Sequence, residues 1–180
     1  MEDINIGHLA STHDSDCVAR SIGSLLSRPA LRNLEIEFGD PFEYSEEDET
    51  YHEPIMNIFR CPTVKPELEH LKLDFSYNIK NLSLSSIHEF VKDNFNLKSL
   101  TLYGMEHFGN EKANKTVIQD IINILDCDHG LESINLGSVL REFRRERSYT
   151  DIKRNEFPQI IEYLKKRMIE TSSSEARALI

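Results

Sequence analysis

The chain has 180 residues, 39% of them hydrophobic and 29% charged, and carries a net charge of −10 at neutral pH. That length sustains one domain with a continuous core, and the acidity speaks against nucleic acid as a partner. The strongest apolar run, 117–125, is interrupted by Asp120 and is too short to cross a bilayer, and Cys17, Cys61 and Cys127 form neither a CxxC pair nor a disulfide framework.

The N-terminus, MEDINIGHLA, has no basic region followed by an apolar one, so no cleaved signal is expected, and the scattered cysteines fit a reducing, cytoplasmic setting. Its residues 1–6 open a series of short apolar triplets that recurs as LRNLEI at 31, LEHLKL at 68, LKSLTL at 97 and LESINL at 131. In LEHLKL the step from Leu71 to Leu73 has the period of a strand, and Leu68 brings the chain into it from a turn.

Between triplets the period changes to that of a helix. Val18, Ile22, Leu25 and Leu26 share a face after the first; Ile55, Ile58 and Phe59 after the second; Ile87, Phe90 and Val91 after the third; Val117, Ile121, Ile124 and Leu125 after the fourth. Ser86 with Glu89 and Thr116 with Gln119 have the spacing of capping boxes, and Pro54 suits a first helical turn. Gly7, Gly39, Gly104 and Gly137 follow their triplets, where the chain must turn out of a strand. The expectation is a unit of strand, turn, helix and turn, with starts near 1, 31, 68, 97 and 131.

This pattern resembles the leucine-rich repeat family, and within it the ribonuclease-inhibitor-like class, over residues 1–140. The resemblance implies an α/β solenoid, a right-handed β-α superhelix of about five divergent repeats, with parallel strands on the concave face and helices on the convex face. One feature departs from the family: the place that usually holds Asn or Cys is occupied by Leu9, Gly39, Ser76, Met105 and Val139. The resemblance also implies a protein-binding scaffold, as a secreted effector acting in a host cytoplasm or as part of a larger adaptor. Small-GTPase activation and substrate reception for a ubiquitin ligase are the family's alternative roles.

Beyond the last triplet, residues 141–157 read as a basic connecting loop. Residues 158–170 read as a capping helix with Ile160, Ile161, Leu164 and Met168 on one face, and 171–180 as a flexible tail. Charge is distributed unevenly. Nine acids and no Lys or Arg lie between Asn33 and Phe59, whereas 141–167 holds nine basic residues against five acids.

Seven histidines show no HExxH and no ligand spacing with the cysteines; His13, His52, His107 and His129 fall in expected turns, where a solvated imidazole needs no special role. GNEKANKT at 109–116 lacks the glycine that a phosphate loop places before its lysine, and EYSEEDETYHE at 43–53 lacks the spacing of a calcium loop. No catalytic, cofactor or metal site is therefore assigned.

If the triplet residues face the core, the outward positions are Asp3, Asn5, Gly7; Asn33, Glu35, Glu37; His70, Lys72, Asp74; Ser99, Thr101, Tyr103; and Ser133, Asn135, Gly137. From these, Asn33, Glu35, Glu37, His70, Lys72, Asp74, Thr101, Tyr103 and Asn135 are the expected partner-binding residues. Glu35, Glu37 and Asp74 with Tyr103 make an acidic patch with one aromatic anchor, suited to a basic segment of another protein. With no capping element before the first triplet, its strand is also expected to be an open edge: either the chain is part of a longer protein or the edge serves self-association.

Overall fold

The triplets that recur along the chain become neighbouring strands of one sheet. The computed structural model describes residues 2–9, 15–38, 59, 67–75, 84–103, 111–127, 129–137 and 152–178. Its strands are β1 (Glu2–Leu9), β2 (Leu31–Phe38), β3 (His70–Asp74), β4 (Ser99–Tyr103), β5 (Ser133–Asn135) and β6 (Ile152–Lys153). The α-helices among the described residues are α1 (Ser15–Leu26), α2 (Ser85–Asp93), α3 (Glu111–Asp126) and α4 (Phe157–Ala178). Strand order in space is strand order in sequence. The first five strands run parallel and the sixth antiparallel, giving an open α/β sheet.

Register lines up the same triplet position in each strand: Leu34 pairs with Leu71, Leu71 with Leu100, and Leu100 with Ile134. All three apolar residues of the triplets at 31, 68, 97 and 131 are at most 1% exposed. They pack in one core with Ile22 and Leu26 of α1, Ile87, Phe90 and Val91 of α2, Val117, Ile121, Ile124 and Leu125 of α3, and Ile160, Ile161 and Leu164 of α4. Each such side chain taken from water is worth about 1.5–3 kcal/mol, which makes the shared face of sheet and helices the main source of stability. Phe59 is buried and meets Phe90 edge to face, ring centres 5.4 Å apart; the rest of the helix expected near Ile55 and Ile58 lies outside the described residues, as do Gly39 and Gly104.

The chain enters successive strands by one repeated hydrogen-bond pattern. Glu69 N–H donates to the Arg32 carbonyl and Lys98 N–H to that of Glu69. Glu132 N–H donates to the Lys98 carbonyl, each at 2.8 Å, and at the exit of the antiparallel β6 Arg154 N–H reaches the Glu132 carbonyl at 2.9 Å. The Glu69 and Lys98 carbonyls each accept a second bond, from Ser99 and Ser133 N–H at 3.1 Å. Side chains at these positions alternate in charge. Arg32 Nε lies 3.6 Å from Glu69 Oε1, and Lys98 Nζ pairs with the other oxygen of Glu69. The Lys98 hydrogen bond holds the Glu69 carboxyl below its usual range, with the positive charges of Lys98 and Arg32 adding to it. A carboxyl lowered on folding stabilises the fold above its unfolded value, and that contribution disappears as the pH falls through the lowered one.

Helix starts differ from the expected capping boxes. Ser86 is not a cap but a buried residue inside the first turn of α2, and Thr116 lies within α3, which starts at Glu111. The start of α2 is supported from another helix instead: Leu84 N–H donates to Asp120 Oδ2 at 2.8 Å. Asp120, which interrupts the apolar face of α3 in sequence, is buried and serves as a cap in trans. Asp120→Ala should cost about 1–3 kcal/mol, because it strands a buried N–H that water cannot reach. Urea unfolding would measure it, and a loss within a few tenths of a kcal/mol would exclude the capping role.

At the far end the basic segment is not loop throughout. Residues 152–153 form β6, which pairs Lys153 with Ser133 and Ile152 with Ile134, because Ile152 supplies one more apolar side chain to the core. A 3-10 turn, Arg154–Glu156, follows, with Lys153 N–H donating to Glu156 Oε2 at 3.0 Å, and leads into α4. That helix runs eight residues beyond 170, through the stretch expected as a tail. A helix already anchored on the core needs no second nucleation and continues past the moderately unfavourable Thr171 and three serines into Glu175, Ala176, Arg177 and Ala178, which favour it. His129, expected in solvent, is instead 4% exposed: it lies beside Phe157, its Nδ1 accepts the Leu131 N–H at 3.0 Å, and Arg154 grips its carbonyl at 2.6 Å. Two glycines mark tight places. A Cβ at Gly130 would lie 1.9 Å from the Phe95 carbonyl oxygen, and Gly137 turns the chain out of β5 at φ 53°.

Candidate functional site

The other face of the sheet carries every second residue of the strands, and parallel register sorts them into rows. One row reads Asp3, Asn33, His70, Ser99, Ser133; the next Asn5, Glu35, Lys72, Thr101, Asn135; a third Glu37, Asp74, Tyr103. Rows arise because in-register parallel pairing sets alternate residues of neighbouring strands at the same height on one face.

Neighbours within and between rows are bonded. Asn33 Nδ2 donates to Asp3 Oδ1. His70 Nδ1 and Ser99 Oγ are 2.7 Å apart, and Asn5 Nδ2 donates to Glu35 Oε2 at 3.1 Å. The other Glu35 oxygen holds the Lys72 ammonium, which also stands 5.3 Å from the centre of the Tyr103 ring. Carboxylate and ring together make a cation site on this face, and Lys72 fills it. Hydrogen bonding to Glu35 raises the Lys72 pKa, and the charges of Glu35, Tyr103 and Asp74 act in the same direction. A lysine raised on folding stabilises below its unfolded value, and the contribution is lost as the pH climbs through the raised one. Both partners are about a third exposed, so the pair is worth less than about 1 kcal/mol.

Between β1 and β4 the first two rows line an open groove of about 330 Å³, with Asp3, Asn5, Asn33, Glu35, His70, Lys72, Ser99 and Thr101 on its walls. It offers carboxylates, amides, hydroxyls, an imidazole and an ammonium, the mixture that exchanges hydrogen bonds with a polar surface.

All nine expected partner-binding residues therefore lie on this side of the sheet, but only eight reach its accessible surface. The ninth, Asn135, does not belong to an accessible surface: it is 5% exposed, and its Oδ1 accepts the Gly137 N–H at 3.0 Å, fastening the turn after β5. Strand alternation alone places Asn135 outward; its burial depends on what surrounds β5, which the period does not encode. The acidic character also changes, since Lys72 stands among Glu35, Asp74 and Tyr103 and compensates part of their charge. Missing from the expected set were Asp3, Asn5 and Ser99, whose signal was present in the same alternation. The acidic stretch 43–53 and the basic stretch 141–147 lie outside the described residues.

Among the described residues no cluster of His, Cys, Asp or Glu is arranged to hold a metal ion, and no helix is long and apolar enough to cross a membrane. In comparisons with protein-family models, curated proteins and solved structures, none matches the chain.

Proposed function

We propose that the protein is an interaction scaffold, a divergent leucine-rich repeat solenoid of the ribonuclease-inhibitor-like class whose polar strand face is concave and receives a basic segment of a partner protein. The observation that carries this reading is the cation held by Glu35 under the Tyr103 ring. Lys72 shows how this face holds a cation, and a partner's Lys or Arg would approach beside it, along the row of Glu37 and Asp74. The equal spacing of donors and acceptors across four parallel strands supports recognition of an extended segment rather than a small molecule.

Two variants separate steering from holding. Replacing Glu35 and Glu37 with Lys should slow association with a partner identified by crosslinking at Thr101, and the wild-type rate should fall as salt rises, since charges screen over about 8 Å at physiological ionic strength. Tyr103→Ala should mainly speed dissociation, because an aromatic anchor acts on a complex already formed. Surface plasmon resonance reads both. Binding that ignores salt and all three residues would reject this face as the recognition surface.

A further inference from the structure

The groove runs out to β1 and ends there: Asp3, Ile4 and Asn5 line it, and among the described residues no strand pairs with the outer side of β1. In β2, β3 and β4 the two core-facing residues are sealed by a strand on either side and are at most 1% exposed. Their counterparts in β1, Ile4 and Ile6, are only partly buried. The edge thus presents extended backbone in regular register from Asp3 to Ile6, with irregularities on either side, half-covered isoleucines toward the core, and exposed Asp3 and Asn5 toward the groove. Such an edge is a template for another strand.

We propose that an extended basic segment of a partner protein adds to β1 as a further strand of the sheet. Its alternate apolar side chains cover Ile4 and Ile6, and its Lys or Arg side chains lie beside Asp3 and Asn5. Charge decides the occupant. A second copy of this chain would bring together two bodies of net charge −10 with Asp3 and Glu35 near the seam, whereas a basic strand relieves that charge. Backbone pairing then supplies affinity and the alternating side chains supply selection, which no contact confined to the polar face would provide. The inference rests on the reading of that face as a partner surface but assigns the docking to backbone at its rim.

The test uses the full chain and a ten-residue peptide of alternating Val and Lys. Calorimetric titration should show binding that weakens with salt, and amide exchange should slow by at least about tenfold in the complex at whichever of Asn5 and Ile6 has its N–H directed away from β2. The decisive probes are two N-methylated forms of the peptide, each blocking one alternate set of amides while keeping every side chain. One set should abolish binding, because those N–H groups face β1, and the other should leave it intact. Equal binding of both forms, or of neither, overturns edge addition. So does exchange that slows at β1 without peptide together with a doubled mass by light scattering, which assigns the edge to a second copy. Binding unaffected by methylation yet lost in the Glu35 and Glu37 lysine variant leaves the face reading standing and removes only the edge; binding untouched by those acids and by Tyr103 removes the face reading.

Discussion

Leu100→Ala should lower the unfolding free energy by about 2–5 kcal/mol, a large part of what a domain of this size possesses. Leu100 is fully buried in the middle of the sheet, opposite Leu71 on one side and Ile134 on the other, with helices closing the third. Truncation leaves a cavity that two fixed strands cannot collapse. Leu71→Ala should behave alike, whereas Lys72→Ala, one residue away on the opposite face, should cost less than about 1 kcal/mol. Denaturant unfolding of the three proteins measures the contrast. A Lys72 variant as damaged as Leu71→Ala would mean that the two faces of the sheet have been exchanged.

Gly130→Ala should be of comparable severity for a different reason. The added Cβ would stand 1.9 Å from the Phe95 oxygen and 2.8 Å from its carbonyl carbon, so backbone rather than a flexible side chain must move. Either the turn after α2 or the approach to β5 is displaced, and the cost belongs at or above the upper end of the roughly 1–3 kcal/mol typical of overpacking. Gly23→Ala is the matched control. Nothing lies within 4 Å of its Cβ position, and it sits inside α1, where alanine should stabilise by about 0.5–1 kcal/mol. Opposite shifts of the thermal midpoint are expected; destabilisation of similar size in both would deny Gly130 its special place.

The strand positions and the two faces were legible because the triplet carries its own period: Leu71 and Leu73 are buried and Lys72 is not, as spacing alone requires. What escaped were features made by residues distant in sequence. Asp120 reads as a defect in an apolar helix until Leu84 is brought beside it, and the burial of His129 depends on Phe157 and Arg154 arriving from the far end of the chain. Ile152 and Lys153 are too short a run to announce a strand without Ser133 and Ile134 to pair with. At the site, alternation placed Glu35, Lys72 and Tyr103 on one surface, but not the fact that the lysine would be gripped between the other two.

The charges at the strand entries were also readable, as the residue after each leading apolar position: Arg32, Glu69, Lys98, Glu132, with Arg154 opposite the last. Their strict alternation gives the array a parity. Excising the unit from Leu68 to Phe95 would set Arg32 against Lys98, and excising the one from Leu97 to Gly130 would set Glu69 against Glu132, like charges in each case. Removing both together restores opposite neighbours, Arg32 beside Glu132. Deletions that take out β3 and β4 together should therefore disturb the charges along the strand entries less than deletions that take out either one alone.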